Sequence, residues 1–119
     1  MQSFRNLRVW DTAHRLTLDV YAASKTFPRD EMFGLTSQMR RASASIGMNI
    51  AEDCCGKGDA EMARFLQMSM GSASELEYQF LLAHDLEYLP NPADERLTLQ
   101  VVEVKKMLSS LVQKVKVWN

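Results

Sequence analysis

From Leu97 to Trp118 the apolar residues Leu97, Val101, Val104, Leu108, Leu111, Val115 and Trp118 return at alternating steps of four and three. That spacing puts all of them on one stripe of an α-helix, and a stripe so long is stable only when other helices cover it. The valines lean slightly toward strand, but a sustained heptad outweighs so small a preference. Asn91 can cap this helix, with Pro92 at its first position, where a missing N–H costs nothing.

The same steps recur upstream. Val9, Ala13, Leu16, Val20, Ala23 and Phe27 define a helix from about Leu7 to Phe27, which Pro28 ends. Pro28 to Gly34 reads as a corner with Phe33 as its apolar plug. A second helix starts near Leu35 or Thr36, with the seam Leu35, Met39, Ala42, Ile46 and Asn49–Ile50, and stops at Gly56 and Gly58. Asp59 suits an N-cap, and Phe65, Ser69, Ser72, Leu76, Gln79, Ala83 and Leu86 continue the rhythm to about Glu87. Connections this short make neighbours antiparallel, so the expected fold is all-α, an up-down-up-down antiparallel four-helix bundle formed by residues 1–119 as one domain. Its core should include Leu16, Val20, Ile46, Ile50, Phe65, Leu76, Val104, Leu108 and Leu111.

Several functions are disfavoured. Uncharged runs such as Ala42–Ala51 are about half the length a bilayer requires, and no apolar leader follows Arg5 and Arg8, so neither a membrane span nor a signal peptide is expected. Cys54 and Cys55 are adjacent, which suits neither a long-range disulfide nor a zinc site, and the expected compartment is the cytoplasm. Di-metal bundles repeat Glu-x-x-His on facing helices, whereas here Asp11-x-x-His14 stands alone and His84 has Leu81 in the equivalent place. Gly56-Lys57-Gly58 lacks the strand before it and the Lys-Ser/Thr ending of a phosphate loop, so it punctuates helices. No pair of acids or histidines has catalytic spacing. The chain therefore reads as a non-enzyme with no catalytic residues, metal or cofactor.

Charge is uneven although the net is −1. Residues 1–50 carry seven basic and four acidic side chains, residues 51–104 three basic and eleven acidic, and the last fifteen residues four lysines. Such polarity can steer self-association or attract a polyanion. A polar stripe also interrupts the second helix: Gln38, Arg41, Ser45, Asn49 and Glu52 share a face. With the next turn centred near residue 57, Ser45 falls opposite Ser69 and Arg41 falls near Ser72, Glu75 and Glu77. The expected role is a structural network that fixes helix register, with Arg41 paired to Glu75 or Glu77 and Arg40 pointing elsewhere. The alternative is a ligand site. Small residues at Ala42–Ser45, Gly47 and Gly71–Ser74 allow close approach of the two helices.

Four stretches carry a resemblance: Phe4-x-x-Leu7-x-x-Trp10; Pro28-x-x-Glu31-x-Phe33-Gly34-Leu35-Thr36-x-Gln38-x-Arg40-Arg41-Ala42; Ser45-Ile46-x-x-Asn49-Ile50-Ala51-Glu52; and Gly71-Ser72-x-x-Glu75-Leu76-Glu77. From Phe4 to Leu89 the chain resembles the small bacterial proteins encoded in intervening sequences of 23S ribosomal RNA genes. The resemblance implies a four-helix bundle that assembles into homopentamers. It extends to the accessory proteins of diversity-generating retroelements, which bind nucleic acid through a basic surface. Where that family usually has glycine after the Ala-Glu pair and then arginine, this chain has Asp53, Cys54, Cys55, Gly56 and Lys57. The functional expectation is a homo-oligomer that associates with RNA or DNA through Arg5, Arg8, Arg40 and Lys57, with Lys105, Lys106, Lys114 and Lys116 available on the last helix. The alternative is a protein-interaction scaffold that binds no nucleic acid. Excess apolar side chains, among them Phe4, Trp10, Tyr21 and several methionines, favour self-assembly in either case.

Overall fold

The computed structural model describes residues 3–54 and 58–118, the side chains of Asp59 and of 115–118 excepted. Four helices, α1 (Arg8–Ser24), α2 (Leu35–Cys54), α3 (Asp59–Asp85) and α4 (Ala93–Trp118), form an antiparallel up-down-up-down bundle measuring 45 × 22 × 20 Å. Each helix packs on its neighbours in order, and α1 closes the square against α4. Short 3₁₀ turns at Phe4–Asn6 and Arg29–Glu31 precede α1 and α2.

The core follows the heptads closely on three helices. Val9, Ala13, Leu16 and Val20 of α1, Met39, Ala42, Ile46 and Ile50 of α2, and Leu97, Val101, Val104 and Leu108 of α4 are buried. Leu111 is half-buried and packs against this cluster. On α3 the expected stripe holds at Ser69, Leu76, Gln79 and Ala83 and gives way at Phe65 and Ser72 to their neighbours Leu66 and Ala73. Leu66, Ala73 and Phe80 are buried together with Ser69, Leu76, Gln79 and Ala83, while Phe65 and Ser72 are half-buried and Leu86 is exposed. Phe65 instead lies under the Arg64 guanidinium, 4.9 Å from the ring centre.

Phe33 is a second correction. It is 94% exposed, because Phe27, which is buried and 5.6 Å from the Tyr88 ring, already fills the space beneath the α1–α2 corner. The corner is fixed by Glu31. One carboxylate oxygen accepts the first N–H of α2, from Leu35 at 3.1 Å, and the other accepts the Tyr88 hydroxyl from the α3–α4 turn, also at 3.1 Å. A Cβ at residue 34 would stand 2.7 Å from that carboxylate, so Gly34 is required for the cap to close.

Phe4 and Trp10 are not left over for assembly. Trp10 packs edge-on against Phe4, stacks on His14 at 4.8 Å, and presses on α2 where Gly47 leaves room for it. The small residue at position 47 thus seats the start of α1 on α2.

Helix ends differ modestly from the sequence reading. Gly58 occupies the N-cap position of α3 and Asp59 is its first helical residue. At the other end Glu87 takes a left-handed conformation (φ 66°), with Glu87 N–H bonded to the His84 carbonyl and Tyr88 N–H to the Ala83 carbonyl, both at 2.9 Å. That is a Schellman ending with glutamate where glycine is usual.

Candidate nucleic-acid interface

The cations expected to meet phosphate do not lie together. Arg40 Nε donates to Ser24 Oγ at 2.9 Å and its terminal nitrogen to the Tyr21 carbonyl at 3.3 Å, with the guanidinium 4.9 Å from the Tyr21 ring centre. Tyr21 belongs to the last turn of α1, where carbonyls lack backbone donors of their own helix, and its carbonyl accepts from the Ser24 hydroxyl as well as from Arg40, so the cation here is a C-terminal cap. Arg40 is therefore half-buried and structural. It sits level with Tyr21, about 20 Å along the bundle from Arg8 at roughly 1.5 Å per residue. Lys57 lies outside the described residues.

Arg5 and Arg8 are exposed at the start of α1, and neither is within ion-pair range of a carboxylate among the described residues. The Arg5 guanidinium rests 4.8 Å from the Phe4 ring centre. Gln100 Nε2 donates to Asp19 at 2.9 Å, and this register between α1 and α4 brings Lys114 to within about a turn of Arg8, while Arg5, in the 3₁₀ turn before α1, packs toward α1 and α2. Lys114 is exposed, as is Arg64 near the start of α3. Asp11 is already paired with Arg15 at 3.0 Å. Glu52 and Glu61 belong to α2 and α3 at the same end, so acids accompany Arg64 on the α2–α3 side. Sequence halves concealed this arrangement, because antiparallel packing joins the first turns of α1 to the last turns of α4. Of the other lysines on α4, Lys105 is half-buried against Glu77 at 2.9 Å, and Lys106 is exposed farther up the helix.

The polar stripe divides into two parts. Ser72 Oγ donates to Ser45 Oγ at 2.9 Å, while Asn49 Nδ2 donates to the Ser45 carbonyl at 2.9 Å and to its hydroxyl at 3.1 Å. Ser69, which the sequence placed opposite Ser45, donates to the Ile46 carbonyl at 2.9 Å. These bonds fix the α2–α3 register. Above them an open hollow of about 460 Å³ is lined by Gln38, Arg41, Ala42, Ser45, Ser72 and Glu75. Arg41 is exposed there and forms no ion pair with Glu75 or Glu77, which corrects the expected pairing. Glu75 accepts from Gln79 Nε2 at 3.4 Å, Glu77 faces α4 and Lys105, and Glu52 is exposed below the hydroxyl network. The two arginines have exchanged their expected roles because α2 turns residue 40 toward α1 and residue 41 outward.

Among the described residues three ionisable groups are perturbed. Burial near the C-terminal end of α2 raises the Asp53 carboxyl, one of whose oxygens has no donor. The hydrogen bond to Glu31 raises the Tyr88 phenol and keeps it a donor. His84 is raised first by its contact with the Leu89 carbonyl, at 2.8 Å, and further by Asp94, whose carboxylate is 3.6 Å away. No group of three or more metal-ligating side chains converges among the described residues, and none of their helices is long and apolar enough to cross a membrane.

A family model described as 23S rRNA-intervening sequence protein matches residues 5–110. The chain belongs to that family. The match covers Arg5 and Arg8, the Glu31 corner and the hollow between α2 and α3, and stops short of Lys114. No curated protein matches this member of the intervening-sequence family. Among solved structures it is similar to a protein of unknown function from the S23 ribosomal protein family of Bacteroides thetaiotaomicron, with 24% identity, 88% of this chain and 95% of that chain covered, and a TM-score of 0.80. At that identity the likeness establishes the bundle alone.

Proposed function

We propose that this intervening-sequence family protein is a non-enzymatic, bacterial, cytoplasmic homo-oligomer, a pentamer by its resemblance, that associates with RNA or DNA through the α1–α4 end of the bundle. The observation that carries this reading is that Arg5 and Arg8 are exposed and without an ion pair among the described residues, with Lys114 of α4 within about a turn of Arg8. Phosphate binding requires only a local cluster of cations, since each neutralised phosphate releases counterions whatever the distant surface carries. Repeating the cluster around a symmetric assembly raises avidity without new contacts. Arg40 takes no part. The aromatic rings at this end, Phe4, Trp10 and His14, pack on one another, so binding is backbone-led and weakly selective for sequence.

A scaffold without nucleic-acid binding is the second reading, favoured by the exposure of Phe33 at 94%, Leu99 at 71% and Met48 at 64%. The two separate when the protein is purified from cells with and without nuclease and any co-purifying nucleic acid is sequenced. Association predicts bound RNA or DNA that high salt removes. A scaffold predicts none.

A further inference from the structure

We propose that Phe33 of one copy seats in the hollow between α3 and α4 of a second copy, so that protomers join head to tail through opposite sides of the bundle. This rests on the homo-oligomeric reading and assigns the surfaces that would form the assembly.

Phe33 is a rigid knob. Its ring is 94% exposed and Met32 beside it 53%, yet the corner that carries them is anchored by both oxygens of Glu31. An aromatic ring held out on a fixed corner loses little conformational freedom when it is covered, and covering it removes a large apolar area from water.

The receiving surface lies across the molecule. Tyr78 and Leu81, 61% and 55% exposed, wall a hollow of about 480 Å³ with Thr98 of α4 opposite them and Glu77 and Asp94 on its border. Lys25 and Arg29, both exposed, flank the Phe33 corner. A phenyl ring entering between Tyr78 and Leu81 carries these cations toward the acidic border at Glu77 and Asp94, so apolar shape and charge match in the same orientation.

Phe33 precedes the first turn of α2, and Asp94 and Thr98 lie in the first turns of α4, so knob and hollow are at the same end of the bundle. The copies therefore stand side by side, and the rotation between successive copies sets whether they close into a ring.

Disulfide cross-linking tests this pairing in a background with Cys54→Ser and Cys55→Ser. Phe33→Cys and Leu81→Cys combined in one chain should give a ladder of covalent multimers on mild oxidation. In parallel, Phe33→Ser should raise the concentration at which the wild-type assembly dissociates at least about thirtyfold by sedimentation velocity, with circular dichroism unchanged. A wild type that assembles while Phe33→Ser assembles equally well, or while the double-cysteine chain gives no ladder, overturns this interface and leaves oligomerisation standing. A wild type that is monomeric at every concentration overturns both.

Discussion

The Tyr88 hydroxyl donates to Glu31 Oε2 at 3.1 Å, and through that bond the α3–α4 turn holds the carboxylate that caps α2. One acid thus joins both helical hairpins at the end of the bundle opposite the cationic surface. Removing it orphans the Leu35 N–H and the Tyr88 hydroxyl together. Glu31→Ala should lower stability by about 1–3 kcal/mol, and Tyr88→Phe by about 0.5–1.5 kcal/mol. Gly34→Ala should destabilise as well, since its methyl group displaces the carboxylate. Urea denaturation of the three variants checks the order, and a neutral Glu31→Ala would show that the cap contributes nothing.

The adjacent arginines should behave oppositely. Arg40→Ala removes two hydrogen bonds and the cover over Tyr21, and should cost about 1–2 kcal/mol. Arg41→Ala, exposed at the polar hollow, should stay within about 0.5 kcal/mol of wild type. Thermal denaturation of both variants measures this, and equal losses would contradict the exchange of roles.

Asp53 should be a stability liability at neutral pH. Its carboxyl is raised by burial, and its charge lies near the negative end of the α2 dipole. The native state therefore holds this proton more tightly than the unfolded chain, and its contribution to stability falls as pH rises from the ordinary aspartate range through the raised native value. Asp53→Asn should raise the urea midpoint at pH 7, with the advantage shrinking toward pH 4. An advantage that is constant with pH would remove the charge from the explanation.

Glu87 holds a left-handed backbone where a side chain is disfavoured. Glu87→Gly should stabilise the protein by about 1 kcal/mol through relief of that strain, provided the Schellman bonds persist. Chemical denaturation at pH 7 reads the sign directly.

Helix number, order and most of the core were legible because a heptad needs only spacing. On α3 the stripe missed by one residue at two places, since the pairs Phe65–Leu66 and Ser72–Ala73 each offer two neighbouring positions, and the choice depends on how α2 and α4 are placed. The hydroxyl network at Ser45, Asn49 and Ser72 was visible as a stripe. Which arginine capped α1 was not, because 100° of helix rotation decides it and the orientation of α2 against α1 is a tertiary fact. Phe33 read as a plug because sequence does not reveal that Phe27 already occupies the space. Arg5, Arg8 and Lys114 were legible as candidate cations, but the approach of Lys114 to Arg8 was not, because the two are more than a hundred residues apart in the chain.

Association with nucleic acid through the cationic end is tested most directly by titrating labelled single-stranded RNA against the wild type and against Arg5→Gln/Arg8→Gln, at several salt concentrations and with assembly verified. Phosphate-led binding predicts that log K for the wild type falls linearly with log salt. It also predicts that the double variant binds more weakly and with a shallower slope, by roughly 0.7 for each phosphate that the variant no longer neutralises. Binding that is undetectable at low salt, or whose affinity and slope are unchanged by both substitutions, would contradict it.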